Sequence, residues 1–170
     1  DRVQQVTALV YAGGALGAVF AGDLITLFVS WEIMAVSSVF LIWARRTPRA
    51  SSAGLRYLAM QISSGLLLLV GALLHISEIG SPAFGALGLD SLGGILIFTA
   101  FGIKCAFPLV HSWLTDAYPE ATPTGMVFLS AFTTKVAVYG LARSFAGAEV
   151  LIYIGTAMAM FPIFFAMIEN

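Results

Sequence analysis

The stretch Phe101–Lys135, FGIKCAFPLVHSWLTDAYPEATPTGMVFLSAFTTK, sets two lysines inside apolar runs, on either side of a segment that interrupts its own helix. Lys104 lies about 13 residues into the run opened by Ser91, and Lys135 about 12 past Pro123, so at ~1.5 Å per residue both fall near the middle of a ~30 Å hydrocarbon slab. A lysine at that depth costs roughly 2.5 to 3.5 kcal/mol on insertion scales and calls for a partner, a water-filled cavity or a function. Pro108 has no N–H, so the helical bond that would end on the Lys104 carbonyl is lost and the ring crowds the same turn. A helix break at Pro108 is therefore expected, with Leu109 to Leu114 resuming as a short piece that carries His111 and Trp113.

Working outward, composition names the solvent. Of 170 residues, 59% are hydrophobic and 10% charged, where soluble domains carry about 25% charged residues. With a mean hydropathy of +0.95 the chain reads as an integral membrane protein, all-α and polytopic, because only helices satisfy their own backbone inside lipid at this composition. A net charge of -1 gives no reason to expect nucleic acid as a partner. The single cysteine, Cys105, excludes an internal disulfide and any Cys-rich zinc or iron–sulfur site. No phosphate loop, dinucleotide fingerprint or metal-ligand cluster is present, so no cofactor is expected on this chain. The first residue is not Met, no signal-peptide pattern follows, and Ile168, Glu169 and Asn170 read as a helix cut at its exit. An internal piece of a longer protein, forming one transmembrane domain over residues 1–170, is the expectation.

About six spans are expected, at residues 3–21, 24–44, 51–75, 91–115 (broken), 123–145 and 150–168. The first carries a seam of small residues, Ala12, Gly13, Gly14, Gly17 and Ala18, of the kind that lets helix backbones approach in lipid. The second carries Trp31 and Glu32, and the third Gln61, Ser63 and Ser64. Pro162 is expected to kink the sixth. Arg2, Arg45, Arg46, Arg49 and Arg56 share one side of this layout, whereas the other has only Arg143. By the positive-inside rule the Arg-rich loop 45–49 is cytoplasmic, in a plasma membrane of bacterial type.

Glu32, about nine residues into its span, matches the depth of both lysines to within a turn or two. If the second, fourth and fifth spans are neighbours, one carboxylate and two amines form a charged row in the membrane plane. Tyr139 and Arg143 follow Lys135 at successive helical turns. Ser130, Thr133 and Thr134 are placed to hold water, and His111 is a titratable group past the break. Such charges also occur as structural ion pairs that only fix helix registry. A discontinuous helix beside them points instead to an ion or substrate site. His75, Trp43 and Trp113 read as interfacial, and Cys105 and the methionines as packing.

The run FVSWEIMAVSSVFLI resembles the glutamate-bearing helix of the antiporter-like subunits of respiratory complex I and of Mrp-type multisubunit sodium/proton antiporters. GIKCAFPLVHSWLTDAYPEATPTG and FLSAFTTKVAVYGLAR resemble that family's broken lysine helix and the lysine helix after it, and AMFPIFFAMIEN the start of the linker into its second repeat. Two details differ: the usual F-P comes one residue later relative to the lysine, and the usual L-P-D reads Leu114, Thr115, Asp116. Leu129, where some members have histidine, is closest to the Mrp D subunit type.

The resemblance implies about fourteen helices in the whole protein, with two inverted repeats of about five each, of which this chain would be the first plus one helix. It implies that Glu32, Lys104 and Lys135 form a proton relay, with His111, Tyr139, Ser130 and Thr134 as accessory groups. Desolvation weakens a buried lysine's hold on its proton and a nearby carboxylate strengthens it, so relative movement of Glu32 and Lys104 would switch proton affinity. The implied function is a proton-translocating membrane subunit of an Mrp-type cation/proton antiporter or a complex I-like NADH:quinone oxidoreductase. Its implied partners are the bilayer, the other membrane subunits, protons and, in an antiporter, sodium. Enzyme status is open, since no redox centre lies on this chain. The alternative is a membrane scaffold subunit whose buried charges serve assembly.

Overall fold

The computed structural model describes residues 2–168; the helix exit expected at Glu169 and Asn170 lies outside them. The elements are α1 (Arg2–Phe20), α2 (Leu24–Trp43), α3 (Pro48–Ile79), α4 (Leu92–Cys105), α5 (Ser112–Ala117), a 3-10 turn at Tyr118–Glu120, α6 (Pro123–Ser144) and α7 (Val150–Ile168). Among the described residues α1, α2, α3 and α6 are long and apolar enough to cross a membrane, and α4 and Val150–Met160 are shorter apolar helices. This is an all-α, polytopic membrane fold.

α2, α3, α4 and α6 each start where a short polar side chain satisfies the first N–H groups. Asp23 accepts from the Ile25 and Thr26 amides, Thr47 from Ala50, Ser91 from Gly94 and Thr122 from Gly125. Pro48 and Pro123 follow two of these caps, in the helix position where a missing N–H costs nothing. The third helix outruns the expected 51–75 at both ends, from the Thr47 cap to Gly80 in the left-handed conformation. Its 32 residues span about 48 Å, more than the hydrocarbon core requires. By contrast α4, with 14 residues, reaches about 21 Å and does not cross alone.

Packing runs α1 on α2, α2 on α3 and α3 on α4, with α6 against α4, α1 and α2. The seam on α1 is narrower than expected. Gly14 and Gly17 face α2, against Met34 and Ser30, whereas Gly13 meets nothing within 4 Å. A close backbone approach joins α3 to α4, where a Cβ on Gly71 would stand 2.9 Å from the Gly93 carbonyl. The loop before α4 is tied to the α1–α2 turn by Leu24 N to Pro82 O (2.8 Å) and Phe84 N to Gly22 O (2.9 Å). Large apolar side chains such as Leu9, Phe20 and Val127 are exposed on the outside. Gln61, Ser64, Lys104 and Thr133 are buried within, the distribution expected of a chain whose solvent is lipid.

Candidate functional site

The break comes earlier than Pro108. α4 ends at Cys105, Ala106 takes the left-handed conformation as its cap, and the Ala106 and Phe107 amides fold back onto Gly102 O and Ile103 O. This is a Schellman-type ending built on alanine instead of glycine. The Trp113 indole donates to the same Ile103 O at 3.0 Å and adds a second bond to that carbonyl. Trp113 is buried, at 3% exposure, and packed edge-on against Tyr57. His75 is also buried.

Lys104 occupies the last turn of α4 and is 1% exposed. Its Nζ donates to the Trp31 carbonyl at 3.2 Å and stands 4.1 Å from the Trp31 ring centroid, a cation–π contact. The Trp31 indole donates to Ser64 Oγ (3.1 Å), and that hydroxyl donates to Ala100 O (2.8 Å). One tryptophan thereby locks α2, α3 and α4 around the amine. The sequence reading did not assign Trp31 a role. Its signal was position: a tryptophan in mid-span, away from the interfacial belts where the residue is enriched.

Glu32 is half-buried, and its charge and that of Lys104 act on one another. Among the described residues the ion pairs within 4 Å are Arg45–Glu120 and Arg56–Asp116, so these two groups are near but not in contact. The Glu32 Oε1 atom is buried without a hydrogen-bond partner. It occupies the place a side chain on Gly65 would need, since a Cβ built there collides with Oε1. The carboxylate also lines a cleft of about 470 Å³ between α1 and α2, with Thr7, Val10, Val36, Ser37 and Phe40.

Lys135 is exposed on the outer face of α6 and does not join Lys104 in the interior; its charge reaches Cys105, the residue next to Lys104. Ser130 is exposed and Thr134 half-buried, while Thr133 is the hydroxyl that turns inward. His111 is half-buried at the start of α5. The Tyr139 hydroxyl donates to Val19 O (2.8 Å) and accepts from Arg143 (3.0 Å), and Arg143 also donates to Ala21 O (2.8 Å). Both side chains fasten α6 to the end of α1.

A second polar cluster lies toward the Arg-rich ends of the helices. The Tyr11 and Thr133 hydroxyls are hydrogen-bonded, Tyr57 donates to Ser38 Oγ (2.9 Å), and Tyr118 to Leu129 O (3.0 Å). Tyr57 and Tyr118 also stand near the Thr133 hydroxyl. On the surface nearby, Arg56 grips Asp116 with two hydrogen bonds of 2.8 Å, which holds that carboxyl below its usual range.

Comparison with known proteins gives this arrangement a family. The chain is 30% identical over 149 residues to NADH-quinone oxidoreductase subunit M of Escherichia coli (strain K12), a match covering 77% of this chain and 29% of the relative. Its fold superposes on a chain of the Mrp complex from Dietzia sp. DQ12-45-1b with a TM-score of 0.76 and 27% identity, over 88% of this chain and 31% of that one. It also superposes on a chain of the membrane-bound sulfane sulfur reductase, an archaeal respiratory membrane complex, with a TM-score of 0.72 and 28% identity, over 79% and 29%. The chain spans between 23% and 31% of the length of the curated relatives that it matches first. The profile of the family described as NADH:quinone oxidoreductase/Mrp antiporter, transmembrane, matches residues 21–168, and the protein belongs to that family.

Proposed function

We propose that this chain is a proton-handling part of an ion-translocating membrane subunit, in which Glu32, Lys104 and Lys135 pass protons along the membrane plane. The observation that carries the reading is a wholly buried lysine at the broken end of a helix, held by a carbonyl and an aromatic face and not by a carboxylate. A registry-fixing scaffold would favour a close Glu32–Lys104 ion pair, since an unpaired buried charge is costly. An amine held near a carboxylate without contact can gain or lose its proton as the gap between them changes.

The outward position of Lys135 suits transfer to a group outside this bundle. His111, Ser130 and Thr134 are the accessory polar groups, and Tyr139 serves as an anchor. The driving energy comes from partner membrane subunits, through redox chemistry there or through a sodium gradient. The Arg-rich end, with Arg45, Arg46 and Arg49, faces the cytoplasm.

Two variants of the full-length protein test this. Glu32→Ala should abolish transport while the complex still assembles. Lys135→Arg keeps the charge but holds its proton, with a pKa above ~12, and should fail equally. Normal transport in Glu32→Ala would support the scaffold role, and normal transport in Lys135→Arg would end the relay at Lys104.

A further inference from the structure

Gln61 is 0% exposed, yet neither its amide nitrogen nor its amide oxygen has a hydrogen-bond partner in the protein. A primary amide offers two donors and two lone pairs, and burying it unpaired forfeits its hydrogen bonds to water. Buried polar groups of this kind are the usual hosts of internal water, which bridges them to other polar atoms nearby.

Helix register says what lies around the amide. α3 and α4 run antiparallel, with Ser64 bonded to Ala100 O and Gly71 packed on Gly93. One turn on from these pairs, Gln61 stands level with Lys104. On α2 the pairs Trp31–Ser64 and Ser38–Tyr57 bracket the same level. Tyr57, Gln61 and Ser64 therefore form one buried row on α3. Its Tyr57 end enters the hydroxyl cluster with Ser38, Thr133 and Tyr11, and its Ser64 end enters the Trp31–Lys104 network.

We propose that Gln61 holds buried water linking the Tyr57–Thr133 hydroxyl cluster to Lys104, and that this link is how protons reach Lys104 from the Arg-rich end. The inference rests on the proton-handling reading above. In the transfer, the neutral amine of Lys104 takes a proton from the Gln61-bound water, so an N–H bond forms and an O–H bond breaks. The Tyr57 hydroxyl turns its O–H from Ser38 Oγ to that water, reprotonates it, and takes a replacement proton from the Thr133 side. Each hydroxyl and the Gln61-bound water end with the protons they began with, and the net change is one proton moved from water at the Arg-rich end to the Lys104 nitrogen. Gln61 holds its own protons throughout and acts as a positioning residue.

The test uses the assembled full-length complex, with proton transport in vesicles and a cryo-EM map that resolves ordered water. Density is expected within hydrogen-bonding distance of the Gln61 amide, on the side of Tyr57 or Lys104. Gln61→Leu should remove it and lower turnover about tenfold or more, Gln61→Asn should recover part of the rate, and Tyr57→Phe should slow transport while the Gln61 water stays. If Gln61→Leu does not assemble, the map and Tyr57→Phe decide. Both amide atoms bonded to protein groups, or a normal rate in either Gln61→Leu or Tyr57→Phe, would overturn the proposal. Lys104→Met run in parallel separates the two readings. A normal rate there removes the relay itself, whereas an inactive Lys104→Met beside a normal Gln61→Leu removes only the water link.

Discussion

Gly65→Ala adds one methyl group at the place where α3 meets the buried carboxylate. A Cβ there collides with Glu32 Oε1 and stands 2.8 Å from Cδ, so the carboxylate must turn away from α3 or the helices must part. Overpacking of this kind costs about 1 to 3 kcal/mol, against about 1 kcal/mol gained by replacing glycine with alanine in a helix. Global stability should therefore fall only slightly, by roughly 0 to 2 kcal/mol on those figures. The native Glu32 position, however, bears the whole strain. A penalty of about 1 to 3 kcal/mol reduces its population by roughly fivefold to over a hundredfold, and transport should drop in that range. The assay is proton transport in vesicles, normalised to assembled complex on native gels. Gly13→Ala, which meets nothing within 4 Å, is the control and should transport normally. Combining Gly65→Ala with Glu32→Asp, whose shorter side chain withdraws from the contact, should recover part of the lost rate. Undiminished transport in Gly65→Ala would refute the argument that the seat of the carboxylate matters.

Tyr139→Phe removes a donor to Val19 O and an acceptor for Arg143. It should cost about 1 kcal/mol of stability, read by thermal unfolding in detergent, with the rate per assembled complex unchanged. The Arg56–Asp116 contact gives a pH dependence. Because the Asp116 carboxyl is held below its usual range, its stabilising effect is fully present above the unfolded-state value of about 3.9 and is lost as pH falls through the lower folded-state value. Unfolding temperature measured from pH 6 downward should fall at the acid end, Asp116→Asn should remove part of that slope, and added salt should shrink the difference.

Which residues lie in apolar helices was legible in the sequence and facing was not. Lys104 and Lys135 sit in similar apolar runs, yet one turns inward against Trp31 and the other outward. The starts of α2, α4 and α6 were readable because Asp23, Ser91 and Thr122 are residue types that cap helices, whereas α3 begins earlier than expected, at the Thr47 cap. The end of α4 was displaced because alanine favours continuing a helix. What stops it is tertiary: the Schellman bonds onto Gly102 and Ile103, and the Trp113 indole on Ile103 O. Gln61 appeared only as one polar residue in a row with Ser63 and Ser64. Ser63 satisfies its own helix through Ala59 O and Ser64 joins α4 through Ala100 O, while Gln61 is left buried and unpaired. Periodicity alone does not distinguish these three.

Proton transport by Lys104→Met in the full-length complex tests the central claim most directly. Methionine fills a similar volume without charge, and replacing a buried ion by an apolar side chain is commonly neutral or stabilising. The complex should therefore assemble and unfold at an equal or higher temperature while proton transport disappears. A stable Lys104→Met complex that moves protons at the normal rate would contradict the account.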